Sequence, residues 1–130
     1  MPTKRFGVVD LFSGAGGMSY GFSRHSGFRL LAAADAEIGK PSSGNGRLQC
    51  NATYRRNIGI SPTQIDLLRV SPSQLRQALR LTEECQVDVL AACPPCTGFS
   101  RANPRNHLRD DRRNSLVRKS AEFAVALNAS

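Results

Sequence analysis

The chain has 130 residues, of which 40% are hydrophobic and 22% charged, a balance that folds rather than stays disordered. This length allows one domain at most, with enough chain to bury an ordinary core. Eighteen Lys and Arg against ten Asp and Glu leave a net charge of +8, which suits a polyanionic partner, and no apolar run is long enough to span a membrane. The four cysteines, at 50, 85, 93 and 96, are spread through a chain too large to need stapling, so reduced thiols in a cytoplasmic, non-secreted protein are expected. The basic N-terminus enters a strand and has no signal-peptide core.

In chain order, Gly7 to Phe12 is a short apolar strand that runs into Ser13-Gly14-Ala15-Gly16-Gly17. A helix over Met18 to Arg24 follows, with Met18 and Phe22 on one face. Strand, glycine turn and helix together cradle phosphates or nucleotides, because glycine lets the backbone approach a ligand. The spacing is not the full dinucleotide fingerprint, so a pyrophosphate is not implied.

A second strand, Phe28 to Ala34, ends at Asp35, and an acid there commonly takes ribose hydroxyls in this architecture. The competing reading of Asp35 is a helix cap or a solvated turn. A polar loop from Gly39 to Gly46 has turn chemistry but no Walker pattern, since Lys40 stands before most of its glycines. Cys50 to Arg56 is a short helix closed by Asn57 and Gly59, and Gln64 to Leu68 is a plausible third strand ending near Asp66. Ser71-Pro72-Ser73-Gln74 opens another helix, with serine at the cap, proline at the first position and glutamine at the third.

The apolar run Val87 to Ala92 is a buried strand leading into Cys93-Pro94-Pro95-Cys96. Proline removes ladder donors, and each residue before a proline is pushed towards extended backbone, so neither the strand nor a helix can continue there. Cys96 therefore sits on a stiff bend at the carboxyl end of a strand, where open α/β sheets place their ligands. Three uses of the C-x-x-C spacing compete. Zinc needs about four ligands, and Cys50, Cys85, His25 and His107 are scattered. A redox dithiol prefers a helix start, which two prolines block. A buried structural Cys93 beside a nucleophilic Cys96 fits best.

An arginine-rich loop over Arg101, Arg105, Arg109, Arg112 and Arg113 precedes a last helix, Ser115 to Ala129, with Leu116, Phe123 and Leu127 at helical spacing. Strands alternating with helices imply an α/β fold with a parallel, doubly wound sheet.

Taken together, these motifs resemble the N-terminal part of the catalytic domain of a DNA (cytosine-5) methyltransferase, over nearly all of residues 1–130. Asp10 to Gly17 resembles the family's first motif, Pro94-Pro95-Cys96 its catalytic motif, and Asp111 to Leu116 the motif that opens the next helix. The resemblance implies a truncated Rossmann-like methyltransferase fold, S-adenosylmethionine as cofactor and double-stranded DNA as partner, without metal or membrane. It implies that Phe12, Ser13, Gly14, Ala15, Gly16 and Gly17 receive the methionine part. It further implies Asp35 and Ala36 at the ribose and adenine, Asp66 and Leu67 at the adenine amino group, and Pro94 and Leu116 at the cofactor. Cys96 is the implied nucleophile, adding to a flipped-out cytosine. Ser100, Arg101, Arg105, Arg109 and Arg113 are the implied DNA contacts.

The sequence departs from that family at Thr97, usually glutamine, at Ala36, often aromatic, and in a longer loop from Ile38 to Gln49. The Glu-Asn-Val motif, the target-recognition domain and the C-terminal segment are not among these 130 residues. The expectation is a C-terminal half or second subunit that supplies them, with the Val87–Ala92 strand a bare edge otherwise. The alternatives are a non-catalytic or partner-dependent cofactor-binding fragment and an RNA cytosine-5 methyltransferase.

Overall fold

The computed structural model describes residues 3–38, 49–95 and 115–129, and its centre is the strand β1 (Phe6–Leu11). Val8, Val9 and Leu11 have no solvent exposure, because β1 is flanked on both edges and covered on both faces. β2 (Phe28–Ala34) pairs with it in parallel on one side and β3 (Val89–Ala92) on the other, giving the order β2-β1-β3. The chain steps from β1 to one neighbour and returns across it to the other. That reversal opens a crevice at the carboxyl ends of the strands, the usual ligand position in such sheets.

Among the described residues four helices cover the sheet: α1 (Gly17–Arg24), α2 (Cys50–Ile58), α3 (Pro72–Ala78) and α4 (Ser115–Ala126). On one face Val9, Leu11, Ala32 and Ala34 form the main core with Leu75 of α3 and Leu116 and Phe123 of α4. The opposite face carries Asp10 against Ser19 of α1 and Tyr54 of α2. Helices on both faces of a parallel sheet make a small Rossmann-like, doubly wound fold, as the alternation of elements implied.

Polar clasps fasten neighbouring elements to one another. Arg76 of α3 donates to the carbonyls of Thr82 and Cys85 and to Leu127 at the end of α4. At the amino end of the sheet, Gly7 N–H donates to Asp88 Oδ2 at 2.7 Å, while Asp88 N–H donates to Gly7 O at 2.9 Å. Ser71 and Gln74 open α3 as expected: Ser71 N–H donates to Gln74 Oε1 at 3.4 Å, while Ser71 Oγ lies 3.2 Å from Ser73 Oγ.

Two expectations are corrected. Gln64 to Leu68 is not a strand: after a single bridge between Ala34 and Thr63, Asp66 Oδ1 accepts Leu68 N–H and Asp66 O accepts Arg69 N–H, which coils the segment into a turn. On α1, Met18 is 48% exposed, while Ser19 is fully buried through its bond to Asp10. Cys93 is exposed rather than buried, because it lies one residue past the end of β3, where the chain leaves the sheet. Among the described residues β3 pairs with β1 alone, and no helix is long and apolar enough to cross a membrane.

Gly7 is fixed by space. A Cβ there would lie 2.5 Å from Gln86 O and 2.6 Å from Leu31 Cδ1. Gly7→Ala should therefore cost about 1–3 kcal/mol of unfolding free energy, since an added methyl in a packed site forces a backbone shift. Urea denaturation checks this, and an unchanged midpoint would contradict the close approach.

Candidate functional site

The carboxyl ends of β1 and β2 carry the main polar machinery. β1 ends at Leu11, and the next residue, Phe12, sits at φ 58°, a left-handed conformation costly for a bulky side chain. The chain then folds back on itself: Ser13 N–H donates to Ala34 O at 3.0 Å and Gly16 N–H to Ser13 O at 3.1 Å. Gly14 and Gly16 both have positive φ, and a Cβ on Gly16 would press on Tyr54 and Ile58 at 3.0 Å. α1 starts at Gly17 with no side-chain cap and no acid in its first turn, so its free N–H groups and positive dipole end stay available to an anionic group.

Across from this turn, Asp35 follows β2. Its Oδ2 accepts Gly14 N–H at 2.9 Å and its Oδ1 accepts Glu37 N–H at 2.7 Å. The Cys50 thiol donates to the same Oδ1 at 3.5 Å, and burial beside Asp35 pushes that thiol up to about 11, so it keeps its proton. Asp35 is therefore the acceptor that joins β2, the glycine turn and α2. Ala36 is half-buried beside it.

Asp66 caps its own turn and pairs with exposed Arg69 at 3.7 Å, a surface pair of little energetic weight. Lys119 of α4 donates to Leu68 O at 2.9 Å and pins this turn to the last helix. Leu67 and Leu116 are buried in the core cluster. Cys93 N–H donates to Leu11 O at 3.4 Å, so the segment leading to half-buried Pro94 leaves the sheet beside the start of the glycine turn. The structure thus brings together Phe12 to Gly17 and Asp35, with Asp66 and Pro94 on neighbouring segments. Cys96, Ser100, Arg101, Arg105, Arg109 and Arg113 lie outside the described residues, as does the Gly39 to Gly46 loop.

Ser19 and Tyr54 were not singled out by sequence. Tyr54 OH donates to Ser19 Oγ at 2.7 Å and Ser19 Oγ donates to Asp10 Oδ2 at 2.5 Å, all three residues being buried. Burial raises the Asp10 carboxyl above its ordinary value of 3.8, the Ser19 hydroxyl opposes this, and the Asp35 charge adds to it. Burial also pushes the Tyr54 phenol up to about 12, so it stays a donor. The available signal was the i, i+3 spacing of Asn51 and Tyr54, which points both residues to one side of α2.

Among the described residues no three His, Cys, Asp or Glu side chains gather as metal ligands. The geometry defines a small α/β domain in which the glycine turn and Asp35 meet at the carboxyl ends of the strands. A family model described as C-5 cytosine-specific DNA methylase matches residues 6–126, and the chain belongs to that family. Type II methyltransferase M.AgeI of Thalassovita gelatinovora is 38% identical over 110 residues, covering 84% of this chain and 22% of that protein. Type II methyltransferase M1.HphI of Haemophilus parahaemolyticus is 40% identical over 110 residues, covering 77% of this chain and 26% of that protein. A solved structure of a DNA modification methyltransferase encoded within an E. coli prophage superposes with a TM-score of 0.67 at 26% identity, covering 95% of this chain and 30% of that one. The chain spans about a quarter of the length of these two curated relatives.

The Asp10 shift has a pH signature. A carboxyl whose folded value is raised holds its proton to higher pH than the unfolded chain does, so its stabilising contribution falls as pH rises from near 3.8 through the raised value, then levels off. Asp10→Asn keeps an acceptor for Ser19 and removes the titration. The difference in unfolding free energy between wild type and Asp10→Asn should shrink across that window in wild type's disfavour. A difference independent of pH would contradict the burial of an ionisable Asp10.

Proposed function

We propose that this chain binds S-adenosylmethionine on the cradle of Phe12 to Gly17, Asp35 and Asp66, and that Cys96 acts as nucleophile in methylating carbon 5 of cytosine in double-stranded DNA. The observation that carries the reading is the Gly14–Asp35 hydrogen bond of 2.9 Å, which sets a glycine turn, an uncapped helix start and a carboxylate around one crevice.

The residues present fit such a cofactor. Ser13 Oγ is buried with no hydrogen-bond partner among the described residues, an unmet polar atom in the turn itself. Among the described residues no non-neighbouring atom comes within 4 Å of a Cβ placed on Gly14 or Gly17, so the backbone there is open to close approach. The α1 N-terminus suits the carboxylate of the methionine part, and Asp35 suits ribose hydroxyls as donors. When bound, S-adenosylmethionine supplies an electrophilic methyl group.

Cytosine carbon 5 is a weak nucleophile until the ring is activated. The Cys96 thiolate adds to carbon 6, forming one carbon–sulfur bond and pushing the ring electrons towards carbon 5. After methylation the carbon-5 proton leaves to a base, the carbon–sulfur bond breaks and the thiolate departs. The target base is inside a duplex and must be flipped out to be reached. Arg101, Arg105, Arg109 and Arg113, with Ser100, belong to the DNA phosphates in this reading.

The test is transfer of labelled methyl groups to mixed-sequence DNA by the complete protein that carries this chain. Cys96→Ser should lower transfer by about a thousandfold or more, the scale expected for losing a covalent nucleophile. Cofactor affinity, measured by titration calorimetry, should change by less than about twofold, since the cradle does not use Cys96. Transfer that survives in Cys96→Ser would remove the nucleophile assignment.

A further inference from the structure

The cradle has a support that neither the glycine turn nor its acids provide. Helix α2 touches both halves. At its first turn, Asn51 Nδ2 donates to the Asp35 backbone carbonyl at 3.3 Å, and Asn51 N–H donates to Glu37 Oε1 at 3.1 Å. One turn on, Tyr54 reaches Ser19 and underlies Gly16.

The turn that Asn51 grips is strained. Glu37 has φ 56°, which lets its N–H fold back onto Asp35 Oδ1 two residues earlier. A non-glycine residue in that region persists only where its surroundings hold it. Gln49 makes no side-chain cap on α2, so the Glu37 carboxylate serves as the cap from across the loop. The Asn51 side chain holds the carbonyl of Asp35, which also accepts Ile65 N–H at 3.4 Å, while the Asn51 backbone N–H holds the carboxylate of Glu37. Without the Asn51 amide the Asp35 carbonyl keeps only the longer Ile65 N–H bond, the turn loosens, and the Glu37 N–H holds Asp35 Oδ1 less firmly in place.

We propose that Asn51 is a positioning residue for cofactor binding, fixing the Asp35–Glu37 turn so that the Asp35 carboxylate meets the ribose hydroxyls. The inference rests on the proposed assignment of Asp35 to the ribose. Its signature is specific to those hydroxyls. A general loosening of the fold weakens every ligand alike, whereas a misaimed Asp35 weakens only ligands that carry the hydroxyls.

The experiment measures affinity for S-adenosylhomocysteine and for its analogue lacking both ribose hydroxyls, by titration calorimetry on this chain and its variants. In wild type, losing the hydroxyls should cost about tenfold or more, the scale of a hydrogen bond to a charged group. Asn51→Ala should weaken S-adenosylhomocysteine by about five- to tenfold and the analogue by less than about twofold, so that the hydroxyl penalty shrinks. Glu37→Ala removes the other anchor and should give the same pattern, which keeps the test decisive if one variant folds poorly. Equal losses for both ligands in both variants, or no loss in either, would overturn the role of Asn51 and leave the cofactor assignment standing. Wild type that binds neither ligand, or binds both equally, would overturn the ribose assignment of Asp35 and this inference together.

Discussion

The carboxylate of Asp35 is the constraint on which the site depends. Its two oxygens accept the Gly14 N–H from the turn after β1 and the Glu37 N–H from its own loop, and the Cys50 thiol of α2 joins them. Hydrogen bonds to a charged acceptor contribute about 1.5–3 kcal/mol each, roughly twice the neutral kind. That is enough to offset the left-handed backbone at Phe12 and Glu37, which costs about 1–3 kcal/mol per residue. Phe12 and Glu37 lie together at the carboxyl ends of the strands, while the other left-handed non-glycine residues described, Arg80 and Asn128, follow the ends of α3 and α4. The amino end of the sheet is built differently: Asp88 and Gly7 clasp each other there through reciprocal hydrogen bonds, and neither takes a left-handed conformation.

A second polar system lies beneath the first. Asp10, Ser19 and Tyr54 link β1, α1 and α2 inside the protein, where an unpaired carboxylate would be costly. The chain of donors from Tyr54 through Ser19 compensates Asp10, and the Tyr54 ring fills the space that Gly16 leaves by having no Cβ. α2 therefore braces the glycine turn from below and the Asp35 loop from the side.

Much of this was legible in the sequence, for reasons that differ by element. β2 was placed residue for residue because Phe28 to Ala34 is apolar but for Arg29 and lies between Gly27 and Asp35. α2 could be read from its glycine stop, with Gly59 at φ 96° closing it. The Gln64 to Leu68 segment failed because its apolar pattern looks like a strand, while Asp66 bonds its own backbone and wins the competition locally. Ser19 was missed because a polar residue inside a helix ordinarily faces water, and only the tertiary partner Asp10 turns it inward. Cys93 was misjudged since composition says nothing of where a strand's last hydrogen bond falls. The glycine turn and Asp35 were found by motif, but their supports, Asn51, Glu37 and Tyr54, come from contacts between elements that spacing alone does not reveal.

The most direct test of the account follows backbone amide signals of this chain by NMR as S-adenosylhomocysteine is added. The account predicts that the shifts concentrate on Ser13 to Gly17, Asp35 to Glu37 and Asp66 to Leu68, the three segments at the carboxyl ends of the sheet. Gly7, Gly27, Phe28 and Asp88, at the opposite end, should stay in place. Shifts centred on that opposite end, or none at saturating ligand, would contradict the claim that the Asp35 crevice is the cofactor site.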